Sequence, residues 1–143
     1  MKTGWYDGNR QFFVVKPLHN GHRQSLIMGA CHYDTNKWVI MMGIFPCNAT
    51  YNSMYKSSVW TYPTSTNKKP SIEILTIALE ALGEVEQEIH NHTNGKRAFL
   101  YVDGLDERRL RIYTKVLTQK CGYKKSKAPS VCGKGMHQLY KRV

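Results

Sequence analysis

The sequence predicts a single α/β domain (α+β in arrangement) over residues 1–143, with a mixed, mostly antiparallel sheet flanked by helices. Three observations predict it. The chain has 143 residues and 41% hydrophobic side chains, enough for one core and typical of globular composition. A helical apolar stripe follows Pro70, and a second helix pattern follows Asp106. Short apolar runs bounded by turn residues occupy most of the remainder.

In order, Gln11 to Val15 is a short apolar run and reads as a strand, and Pro17 to Gly21 is punctuation. Ser25 to Tyr33 fits two structures. It is one arm of a hairpin, with Asp34 to Lys37 as the turn and Trp38 to Pro46 as the return, or a short helix feeding a parallel strand at Trp38 to Ile44. Pro46 to Ser57 is a polar loop, and Ser58 to Tyr62 is a strand that Pro63 ends. Ile72, Leu75, Leu79 and Leu82, widened by Ala78, Val85 and Ile89, predict a helix over 71–90 with Ser71 as its N-cap. His90 to Lys96 stops it at an Asn94-Gly95 turn. Arg97 to Val102 reads as a buried strand, expected to lie parallel to 58–62. A helix over 106–121 ends at Gly122, and 123–127 and 136–143 form a closing antiparallel pair.

Charge is one-sided. The net is +11, and the last acid is Glu107. Residues 108–143 carry eleven cations and no carboxylate, while 1–107 carry ten of each sign. Such a field favours a polyanion, either nucleic acid or an acidic protein surface, with Arg108, Arg109, Lys124 and Lys125 as the expected contacts. No apolar run of membrane-spanning length and no signal-peptide pattern is seen, so no membrane partner and a cytoplasmic location are expected. Cys31, Cys47, Cys121 and Cys132 form no CxxC pair, and no metal site is expected.

From Ser58 the predicted order is strand, helix, strand, helix, strand, strand. This order resembles the core and C-terminal part of GNAT acetyltransferases, over about 85 residues. Asp106-x-x-Arg109-x-x-Ile112-Tyr113 keeps the spacing of that family's helix motif, and Gly122-Tyr123 supplies its ending. The resemblance implies an acyl-CoA-dependent N-acyltransferase using acetyl-CoA. The acyl-CoA would lie where two parallel strands splay apart, its pyrophosphate on backbone N–H groups at the start of the central helix. Tyr113 would be the general acid that protonates the departing thiolate. Thr66, Asn67, Lys68, Lys69, Ser71 and Asp106 fall at the cofactor-binding positions. Thr64 to Lys69 lacks the glycines of the family's phosphate loop, and Ser58 to Tyr62 lacks an acidic general base. In this respect the chain is similar to degenerate, phage-type members of the fold. For such a relative the expectation is a bacterial host's cytoplasm and no acetyl-CoA.

A second resemblance is local. Pro17-Leu18-His19-Asn20-Gly21-His22 resembles the P-x-H-x-G-H core of HxGH nucleotidyltransferases, implying adenylyl or cytidylyl transfer with His19 and His22 stabilising phosphates. In that family the motif lies between a strand and a helix. The glycine-containing approach to the motif is missing here, and a polar turn between strands explains both histidines as well. A third reading is a non-catalytic, basic nucleic-acid-binding or virion-associated protein, with Tyr113, Tyr123 and Tyr140 among the C-terminal cations.

Overall fold

The computed structural model describes residues 1–19, 21–52, 72–102, 107–127 and 138–143, and of 107–113 the backbone alone. Within them the chain is α+β: one seven-stranded, mostly antiparallel sheet with two long helices. The strands are β1 (Gly4–Tyr6), β2 (Gln11–Pro17), β3 (Gln24–Asp34), β4 (Lys37–Pro46), β5 (Phe99–Val102), β6 (Lys124–Lys125) and β7 (Leu139–Arg142). The helices are α1 (Ile72–His92), before β5, and α2 (Glu107–Lys120), after it. The spatial order is β1-β2-β3-β4-β5-β7-β6, and among the described residues β4 with β5 is the only parallel pair.

The first four strands form a meander whose turns use left-handed residues. Asp7, Gly8 and Asn9 have φ of 53°, 62° and 67° between β1 and β2, and Asn36 has φ 54° between β3 and β4. Asp and Asn tolerate this conformation because their short polar side chains bond locally. Ser25 to Tyr33 is therefore the hairpin arm, not a helix. Ser25 pairs with Phe45 and Cys31 with Val39 along a nearly unbroken register.

The parallel partner of β5 corrects one expectation. Lys37 to Ile40 of β4 pair with Phe99 to Val102. The expected partner, 58–62, lies outside the described residues, and its predicted place beside β5 belongs to β4. The other neighbour of β5 is β7, with Tyr101 opposite Tyr140.

One face of the sheet carries the main core. Val14, Leu26, Leu100 and Leu139 are fully buried there with Ala81, Val85 and Ile89 of α1. Leu117 of α2 joins the same cluster. The helix stripe lies to one side of the predicted one: Ile74, Ala78, Ala81, Leu82, Val85 and Ile89 are buried, Leu75 and Leu79 sit at the margin, and Ile72 is 85% exposed. Thr93 to Gly95 ends α1 as expected. Gly95 (φ 73°) donates its N–H to the His90 carbonyl at 3.1 Å. The other face holds a smaller cluster of Phe13, Ile27, Cys31, Met41 and Phe45, with Tyr6 and Tyr51 packed on it.

Three carboxylates of α1 tie the helix to the sheet. Glu84 pairs with Lys16 at 2.6 Å, and Glu86 pairs with Lys141 at 3.0 Å. Glu88 accepts the Trp5 indole N–H at 2.9 Å.

Candidate functional site

The site forms at the C-terminal end of β4. Among the described residues, β5 ends at Val102 opposite Ile40, while β4 runs on from Met41 to Pro46. Over these six residues only β3 is paired with it. In an antiparallel ladder the N–H and C=O of alternate residues point away from the partner. Among the described residues, no strand pairs with that outward side of β4 from Met41 to Pro46.

The turn from β2 to β3 folds to the same end. Leu18 is buried in the main core, and its N–H donates to the Gln24 carbonyl at 2.8 Å. His19 donates its backbone N–H to Glu73 Oε1 at 2.8 Å, which fixes the turn to the first turn of α1. Gly21 and Arg23 then take left-handed φ of 77° and 50°. Arg23 accepts the Cys47 N–H on its carbonyl at 2.9 Å, closing the turn onto the end of β4.

His22, Arg23, Pro46, Cys47 and Asn48 line an open cleft of about 530 Å³ at this junction. The Cys47 thiol is exposed and lies 3.4 Å from the Ser25 hydroxyl. Arg23 is neither Gly nor Asn, so its φ of 50° costs about 1 kcal/mol. The surrounding turn holds this conformation and places a cation on the cleft wall.

The expected site residues are divided by the structure. His19 and His22 lie at this end, both exposed. A strand, β3, follows their turn, and it runs antiparallel to β2. The helix that the nucleotidyltransferase resemblance implies after the motif is not there. Tyr113 lies on α2 after β5, and Arg108 and Arg109 lie in the first turn of that helix. Thr66, Asn67, Lys68, Lys69, Ser71 and Asp106 lie outside the described residues. Lys124 and Lys125 are exposed on β6, on opposite faces of the sheet.

Sequence reasoning missed Arg23, Cys47 and Asn48. A positive φ at an arginine leaves no trace in composition, and the cleft joins residues more than twenty positions apart. Among the described residues no group of three or more His, Cys, Asp or Glu side chains is placed to hold a metal, and no helix is long and apolar enough to cross a membrane.

Comparison with protein-family models, with curated proteins and with solved structures returns no match to this chain.

Proposed function

We propose that this protein is a GNAT-like, acyl-CoA-dependent N-acyltransferase, or a degenerate relative of one. The observation that carries the reading is the parallel pairing of β4 with β5. β4 and β5 pair over four residues, a long helix lies between them in sequence, and past Ile40 β4 pairs with β3 alone among the described residues.

This reading requires an acyl-CoA. The pantetheine arm of an acyl-CoA is extended and bears amides, so it can add to β4 as a short strand would. When bound, it presents an activated thioester to an amine. The chain's own groups would orient it. Backbone groups of Met41 to Pro46 would hold the arm. By sequence position, the start of α1, preceded by Lys68, Lys69 and the hydroxyls of Thr66 and Ser71, would meet the phosphates. Asn67 and Asp106 complete the set by position. Tyr113, on the helix that follows β5, is placed by sequence to return a proton to the thiolate.

The test is calorimetric titration with acetyl-CoA, with ATP and CTP as controls, followed by an assay for free thiol in the presence of amines. Acetyl-CoA binding is expected, with neither nucleotide competing. Binding without thiol release identifies the non-transferring relative. Binding of ATP or CTP alone refutes the reading.

A further inference from the structure

The second face of the sheet, at β5, β7 and β6, carries an aromatic surface that neither core absorbs. Residues directly opposite in a ladder share a face. Tyr101 lies opposite Tyr140, and the two rings stack with centroids 6.0 Å apart and planes at 27°. Phe99 lies 6.4 Å from Tyr140, and Tyr33 reaches Tyr101 edge-on at 6.2 Å. None of these four rings belongs to a buried cluster. Tyr33 is 51% exposed and the other three are half-buried. The alternate residues Leu100, Val102 and Leu139 point the other way, into the core under α1.

Cations frame these rings by register. Arg142 lies opposite Phe99, and Lys124 lies opposite Tyr140, both exposed. Lys37 of β4 is the register partner of Phe99 on the other side. The Arg97 guanidinium sits 4.9 Å above the Phe99 ring. Glu84, Glu86 and Glu88 are engaged on the opposite face with Lys16, Lys141 and Trp5. The described carboxylate in the nearby β3–β4 turn, Asp34, accepts the Thr35 N–H at 2.7 Å.

We propose that this face is a stacking platform for single-stranded nucleic acid. Exposed bases lay their π-faces on Tyr101 and Tyr140, and phosphates meet Lys124, Arg142 and Arg97 at the margin. A duplex hides its base faces and would use the cations alone. An acidic protein would likewise need the charge and not the rings. The platform lies on the sheet face away from α1, so it does not depend on acyl-CoA binding.

The experiment measures fluorescence anisotropy of the full chain with a labelled single strand of about 12 nucleotides, against the matching duplex and with heparin as competitor. The single strand is expected to bind more tightly than the duplex, with affinity falling as salt rises. Tyr101→Ala and Tyr140→Ala should each weaken single-strand binding about tenfold and leave duplex binding unchanged. Lys124→Gln should weaken both alike. Tyr140→Leu keeps the apolar volume, so it tests stacking even if the alanine variant unfolds. Photo-cross-linking of the unmodified protein to a bromouracil strand should mark β5 and β7. Equal binding of duplex and single strand, an unchanged affinity in Tyr140→Leu, cross-links confined to α2, or no binding at all would each overturn the proposal.

Discussion

Tyr123, just before β6, donates its phenolic hydrogen to Glu86 Oε1 at 2.9 Å, in the middle of α1. The other oxygen of the same carboxylate holds Lys141 at 3.0 Å, and the ammonium also lies 5.6 Å from the centre of the Tyr123 ring. Tyr123 is 2% exposed, so its hydroxyl has little water to turn to. Glu86→Ala takes the shared partner from both groups at once and should cost about 2 kcal/mol of stability. Urea denaturation checks this, and Tyr123→Phe in the same background should recover part of the loss, because the orphaned hydroxyl is gone.

Stability should fall on the alkaline side. Burial first, and the Asp7 charge second, push the Cys31 thiol from 9.0 up to about 12. Burial, with Glu86 next, also pushes the Tyr123 phenol upward from 10.0. Both groups are neutral in the folded protein and ionise more readily when unfolded. Their contribution is thus complete below about pH 9 and is lost as pH rises through the folded values. By about pH 10.5 the Cys31 share of the loss is roughly 2 kcal/mol. Denaturation midpoints from neutral to alkaline pH should show the decline, and Cys31→Ala should flatten it whatever its effect at neutral pH.

Arg23→Gly should raise stability by about 1 kcal/mol, because glycine adopts the left-handed φ without the Cβ clash. The same change removes a cation from the cleft, so acetyl-CoA affinity should drop. Thermal melts and calorimetry on one preparation would show the two effects with opposite signs. A loss of both would mean that the arginine side chain itself supports the turn.

Cys47 lines the cleft, while Cys31 is buried in the sheet. A bulky maleimide should label Cys47 quickly and Cys31 only on unfolding. Saturating acetyl-CoA should slow the Cys47 reaction, as followed by peptide mass spectrometry. Unaltered labelling in the presence of bound ligand would place the ligand away from the end of β4.

Gly29 packs beneath Phe13. A Cβ at this position would stand 2.6 Å from Phe13 Cδ1, and Phe13 is itself 4% exposed. Gly29→Ala should therefore cost about 1–3 kcal/mol by overpacking. Adding Phe13→Leu should relieve part of that cost, a coupling that a double-mutant cycle would read directly.

Legibility in the sequence followed locality. The first helix and its end rest on residues a few positions apart, and Leu82, Val85, Ile89, Asn94 and Gly95 announce them. Ser25 to Tyr33 left strand and helix open because the middle of β3 is buried on both faces, which erases the alternation that marks a half-exposed strand. Gly4 to Tyr6 is too short to show a period, although Trp5 and Tyr6 reach the two opposite cores. The partner of β5 was misread because a parallel partner is set by the crossover and not by nearness in sequence. The cleft and the aromatic face both depend on pairing between distant strands, so their residues look unrelated until the register is known.

The two outermost strands have a further consequence. β1 is three residues long, and β6 is two residues long, both lysine. An outer strand offers unpaired N–H and C=O groups to any passing chain, and short length with charge is the usual protection. Lys124 and Lys125 therefore repel a second copy that would add edge to edge, so the protein should stay dispersed where a longer, uncharged margin would seed fibres. Neutralising both lysines should thus shorten the time to aggregation on storage, even though no folded-state contact among the described residues is lost.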